Sequence, residues 1–151
     1  MTDLVIRRGN PRDPGATRLL EASHGLMDSL FPADSNHYLP IEGLTLPGIH
    51  FYVAERGGRA LGCVAMADRD GYGEVKSLFV DPDARGMGIA DRLLEHLTAE
   101  ARDRGHTLLR LESGTRLDAA HRLYDRHGFV KCERFGNYPE SEHSIFMEKA
   151  L

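Results

Sequence analysis

At 151 residues the chain has the length of one domain built around a single hydrophobic core. With 41% hydrophobic and 28% charged residues it has the make-up of an ordinary soluble globular protein, and a net charge of −4 argues against a general nucleic-acid binder, which is usually basic. No apolar run approaches a membrane span and the first residues lack the pattern of a secretion signal, so a cytoplasmic protein without membrane contact is expected.

Residues 4–7 read as a short first strand. From Asp13 onward the apolar positions Leu19, Leu20, Leu26 and Leu30 predict one helix or two broken ones, punctuated by Gly25 and Pro32. Residues 35–47 look like loop, with Pro40, Gly43 and Pro47. Residues 50–55 alternate as a strand, Arg56-Gly57-Gly58-Arg59 is a hairpin turn, and 60–67 is the returning strand. Gly71-Tyr72-Gly73 turns into another strand at 74–80. A long helix follows from Gly88 to about Arg104, with Ile89, Leu93, Leu94, Leu97 and Ala101 on one face and Gly105 as its stop. Residues 107–112 form the next strand. A second clear helix spans about 117–127 with Leu117, Ala120, Leu123, Tyr124 and His127 inward, and residues 129–135 and 144–149 finish as strands. Cys63 and Cys132 both fall in these strands and read as buried, reduced thiols. There is no repeat, low-complexity tract or linker, so residues 1–151 read as a single mixed α/β (α+β) domain.

The chemistry concentrates at the junction of strand and helix. Val80-Asp81-Pro82 ends the strand, and Arg85-Gly86-Met87-Gly88-Ile89-Ala90 opens the helix. Glycines let backbone amides approach a ligand, the first N–H groups of a helix lack internal partners, and the helix dipole favours an anion there. Arg85 adds a positive charge. A dinucleotide fingerprint needs a third glycine, and a P-loop needs Gly-Lys-Ser/Thr; both are missing. The ligand implied carries phosphates and is of nucleotide type.

These residues resemble the acetyl-CoA motif of the GCN5-related N-acetyltransferase (GNAT) superfamily, written Gln/Arg-x-x-Gly-x-Gly/Ala. Ala120-His121-Arg122-Leu123-Tyr124-Asp125-Arg126-His127-Gly128-Phe129 is similar to that superfamily's Ala-x-x-Leu-Tyr-x-x-x-Gly-Phe segment, in the same order and spacing. The resemblance implies a GNAT fold. Such a fold has a mixed, mostly antiparallel sheet of six or seven strands flanked by about four helices, with a V-shaped splay between 74–80 and 107–112. It implies acetyl-CoA as co-substrate, no metal, and transfer to a primary amine by direct attack in a ternary complex. Leu78, Phe79 and Val80 would pair through their backbone with the pantetheine arm, and Arg85, Gly86, Met87, Gly88, Ile89 and Ala90 would hold the pyrophosphate.

Amide formation from a thioester needs a base for the amine and a donor for the departing thiolate. The resemblance gives the donor's role to Tyr124. Two carboxylates compete for the base. Glu74 sits at the offset used by histone-acetylating members and shares a period-two face with Lys76, Leu78 and Val80; Glu112 resembles the glutamate of ribosomal-protein acetyltransferases. A water chain is the third alternative. Leu117 stands where the family often has a cofactor-contacting asparagine. Leu111-Glu112-Ser113-Gly114, Phe135-Gly136-x-Tyr138 and Ser144-x-Phe146-Met147-Glu148-Lys149 resemble a bacterial subgroup without a secure acceptor assignment.

His24, His37, His143, Asp34 and Glu42 fall in segments expected to rim the acceptor site, Lys76 reads as a surface or phosphate-side charge, and the eight histidines show no metal-binding spacing. A small amine or amino acid is the favoured acceptor over a protein amine. The alternative is a coenzyme A-sensing module that binds a protein partner without turnover. Pairing of exposed last strands would make a homodimer.

Overall fold

Two largely apolar runs flank Gly57-Gly58, and both of these glycines have positive φ, as a tight two-residue hairpin requires. In the computed structural model, which describes residues 3–151, the hairpin joins β2 (Ile49–Arg56) to β3 (Arg59–Arg69). β1 (Val5–Arg8) pairs with β2, and β4 (Tyr72–Val80) with β3, all antiparallel. Three further strands, β5 (Leu108–Gly114), β6 (Val130–Lys131) and β7 (Ser144–Ala150), complete one sheet in the order β1-β2-β3-β4-β5-β7-β6.

Helices cover both faces. α1 (Pro14–Leu30) and the single turn α2 (Ile41–Leu44) bury Leu19, Leu20 and Leu44 against Phe51, Val53, Cys63, Ala65 and Phe79. On the opposite face, α3 (Ile89–Asp103) and α4 (Asp118–Arg126) bury Leu93, Leu94, Leu97 and Leu123 against Tyr52, Val64, Met66 and Val75. Each large aliphatic or aromatic side chain so buried contributes roughly 1.5–3 kcal/mol.

Several boundaries differ from the sequence reading. The early helix is unbroken: Gly25 lies inside α1, and the helix ends at Leu30, two residues before Pro32. The stretch read as loop contains α2. Only Val130 and Lys131 of 129–135 pair as a strand, so Cys132 sits outside it and is partly exposed, while Cys63 is fully buried in β3.

The junction of β4 with its neighbours is the feature that makes a site. Ala65 pairs with Lys76 and Cys63 with Phe79, so Ser77 and Leu78 together oppose Val64. This is a bulge, and Ser77 takes φ +57° to make it. The extra residue resets the alternation. Glu74 and Lys76 share their face with Phe79 toward α1, while Val75, Leu78 and Val80 join the α3 side. The expected sharing of one face by Glu74, Lys76, Leu78 and Val80 is therefore wrong beyond Lys76. On its other edge β4 pairs in parallel with β5 only at Gly73–Leu109 and Glu74–Arg110. Beyond that point the strands diverge, and β5 stays with β7 through Gly114.

Polar staples fix the far end of the sheet. Asp68 at the end of β3 accepts from His50 Nε2 at 2.8 Å, His106 Nε2 at 2.8 Å and Arg104 Nη2 at 3.1 Å.

Candidate active site

The divergence of β4 from β5 opens a cleft between the two strands. Val75 to Leu78 form one wall, Glu112 to Gly114 the other, and Leu117 with Ala120 and Tyr124 of α4 closes one side. Met27 of α1, Phe31 just past its end, His37 and His143 also line it. Tyr124 reaches the cleft because α4 is strongly amphipathic and turns Leu123 and Tyr124 inward. The ring packs against Phe129, and burial pushes its hydroxyl well above the usual tyrosine range, helped by the Glu112 carboxylate.

Glu112 extends from the middle of β5. Burial raises its pKa above the ordinary carboxylate value, while a hydrogen bond from Ser144 Oγ to Oε2 (2.7 Å) and the charge of Lys76 pull it back. Glu112 and Tyr124 thus line the same cleft. Glu74 does not line it. Its side chain is 3% exposed and engaged on both oxygens: Oε1 accepts from Arg69 Nε at 3.0 Å, and Oε2 takes a short hydrogen bond from Tyr138. It faces an adjoining pocket with Tyr72 and Tyr138.

Lys76 corrects the sequence reading outright. It is neither a surface nor a phosphate-side charge. Its side chain is 9% exposed, and Nζ donates to Tyr138 Oη at 2.7 Å and to the His37 carbonyl at 3.1 Å, with Glu74 at 3.7 Å. Burial lowers its pKa, and Glu74 and Glu112 oppose that shift. Opposite charges two residues apart on a strand share a face, so Glu74 and Lys76 carried a legible sign of this pair. Tyr138 and Ser144 were visible only as members of motifs without a role.

The glycine-rich turn lies past the open edge of β4. Gly86 and Gly88 have φ of +80° and +75°, Gly88 caps α3, and a Cβ at either would point into open space. Their conformation and the N–H groups that open α3 fit a phosphate group. Arg85 is exposed, with its guanidinium over the Phe79 ring. The unpaired edge of β4 beyond Glu74, which carries Leu78, Phe79 and Val80, fits an extended arm that adds as a strand. Leu117, at the family's asparagine position, lines the cleft with an apolar side chain.

The remaining candidates separate cleanly. His24 stacks on Tyr38 at 4.0 Å, behind the rim. Asp34 and Glu42 are exposed and line neither pocket. His121 bonds the Gly114 carbonyl and His127 bonds Asp91. Among the described residues no three His, Cys, Asp or Glu side chains are grouped to hold a metal ion, and no helix is long and apolar enough to cross a membrane.

A splayed sheet with a glycine-rich turn of phosphate-compatible shape at one end of the splay and a carboxylate and a tyrosine at the other is the framework of an acyl-CoA-dependent transferase. A model of the acetyltransferase (GNAT) domain matches residues 47–131, and the chain belongs to the GNAT acetyltransferase family, an acyltransferase with acetyl-CoA as co-substrate. It is similar over its full length to an IAA acetyltransferase of Azospirillum brasilense, at 41% identity and 100% coverage of both chains. It is 37% identical to the uncharacterized N-acetyltransferase YsnE of Bacillus subtilis over 83% of this chain and 85% of that one. A Klebsiella pneumoniae structure described as a candidate acyl-CoA N-acyltransferase superposes with a TM-score of 0.83 at 31% identity, covering 98% of this chain and 97% of that one.

Proposed function

We propose that the protein transfers the acetyl group of acetyl-CoA to the primary amine of a small molecule by direct attack, with Glu112 as base and Tyr124 as donor to the leaving sulfur. The observation that carries this reading is that Glu112 and Tyr124 line one cleft, at the end of the β4 edge left open by β5. In the step itself the amine nitrogen forms a bond to the acetyl carbon and the carbon–sulfur bond breaks. Glu112 takes the amine proton, and the sulfur leaves with the electron pair under a hydrogen bond from Tyr124. The raised pKa of Glu112 strengthens it as a base, and the raised pKa of Tyr124 keeps its hydroxyl protonated as a donor. Glu74, held by Arg69 and Tyr138, serves to anchor the neighbouring pocket. Leu78, Phe79 and Val80 bind the pantetheine arm, and Arg85 with residues 86–90 binds the phosphates.

The test is thiol release from acetyl-CoA across small amines, amino acids, peptides and IAA, the compound in the relative's name. Glu112→Gln and Tyr124→Phe should each lower kcat by about 10²-fold or more, in the range for losing acid–base help. Glu74→Gln should keep most of the turnover. A larger loss at Glu74 than at Glu112 overturns the assignment, and acetyl-CoA binding without turnover on any acceptor returns the weight to a sensing module.

A further inference from the structure

The Glu74 pocket adjoins the reaction cleft, and His37, Tyr38 and Lys76 line both. Arg69 stands at its edge, at the end of β3. Its Nε is committed to Glu74 Oε1 at 3.0 Å, which fixes the plane of the guanidinium. Its two outer nitrogens make no hydrogen bond to any described residue, and the side chain is 40% exposed against 3% for Glu74. A ligand entering the pocket therefore meets the open outer edge of the arginine, while both oxygens of the carboxylate are already engaged.

Charge and shape point the same way. Arg69 and Lys76 flank the single buried carboxylate of Glu74, so this trio carries one net positive charge. Asp70 is the other acid on the pocket; it is exposed, forms no ion pair with the described residues, and is screened by solvent. Three aromatic residues, Tyr38, Tyr72 and Tyr138, contribute to its lining. Tyr138 is itself locked, its hydroxyl between Lys76 and Glu74 and its ring against Phe135 and Phe146. A guanidinium held at Nε with its outer edge open is the fork that pairs with a planar oxyanion through two hydrogen bonds.

We infer that this pocket is an acceptor subsite in which Arg69 binds a carboxylate carried by the acceptor, with its apolar body against the tyrosines of the lining. The inference rests on the acyl-transfer reading above and narrows its acceptors to small amines that also bear a carboxylate. The amine would then lie along the seam formed by His37, Tyr38 and Lys76, toward Glu112. Arg69 is a specificity residue in this arrangement and takes no part in proton transfer.

Calorimetry on the CoA-saturated protein tests the subsite without turnover. The probes are 3-phenylpropanoate, which has ring and carboxylate but no amine, its neutral amide, and inorganic phosphate. The acid should bind at least about tenfold tighter than the amide, the worth of a hydrogen-bonded charge. That preference should vanish in Arg69→Leu and weaken in Arg69→Lys, which keeps the pair with Glu74 and the fold but loses the fork. Phosphate binding as tightly as the acid would make the site a general oxyanion site and overturn the carboxylate assignment. Equal binding of acid and amide, or an acid preference that survives in Arg69→Lys undiminished, overturns the proposal. The amine panel is read separately: an Arg69-dependent acid preference with no amine turned over leaves the subsite standing and removes the acyl-transfer reading.

Discussion

Ser144 Oγ donates to Glu112 Oε2 at 2.7 Å across the antiparallel pair of β5 and β7. The bond stabilises the ionised carboxylate, while burial favours the neutral form. Ser144→Ala removes the first and leaves the second. The pKa of Glu112 then rises further, and a base must be deprotonated to work. The acid limb of kcat/KM should therefore move to higher pH in the variant, with little change on the alkaline side. A pH–rate profile of both proteins checks it.

Tyr138 bridges the two charges of the acceptor pocket. Tyr138→Phe removes the donor to Glu74 Oε2 and an acceptor from Lys76, both nearly buried. Leaving buried polar groups unsatisfied costs about 1–3 kcal/mol. Urea unfolding should show a loss in that range with an unchanged slope.

Gly88 has φ +75° where it caps α3. Gly88→Ala forces a Cβ into the left-handed region at a cost of about 1–2 kcal/mol. The same methyl stands in the open space before the helix. Acetyl-CoA affinity should fall along with the melting temperature, and calorimetry with coenzyme A separates the two effects.

Burial would raise the pKa of Asp68, but hydrogen bonds from His50, His106 and Arg104 outweigh it and hold the carboxylate well below its usual range. A depressed carboxylate adds stability above its unfolded pKa of about 3.9 and loses it as pH falls toward the folded value. Asp68→Asn should cost about 1–3 kcal/mol at pH 7. The gap to the wild type should narrow steadily below about pH 4. Denaturant titrations from pH 7 to 2 measure it.

The two cysteines should differ in reactivity. Cys63 is fully buried with its thiol pushed up to about 12, whereas Cys132 is partly exposed. A thiol reagent at pH 8 should label one site per native chain and two per unfolded chain.

Much of the fold was legible because its signals are local. Gly57-Gly58 marks a hairpin, and the period of Leu93, Leu94 and Leu97 marks a helix. The cradle was legible because glycine is the residue that tolerates φ near +75° beside a ligand. The acceptor side was not, since it is assembled from α1, residues 35–39 and residues 136–139, which meet only in space. Lys76 was misread because its partners, His37 and Tyr138, are distant in sequence. The phase of β4 was misread because a bulge at a serine leaves no mark in the residue pattern.

That bulge makes β4 a strand with two grammars. Upstream of Ser77 the even positions Glu74 and Lys76 face α1; downstream the odd position Phe79 takes over that face. Glu74 and Lys76 are tied into a nearly buried ion-pair network, while the side chains after the bulge keep their own phase. Straightening the strand with all its residues kept would instead put Leu78 and Val80 where Phe79 now belongs. One inserted residue is thus enough to give the two halves of β4 opposite phase, so that Glu74, Lys76 and Phe79 all meet the α1 face.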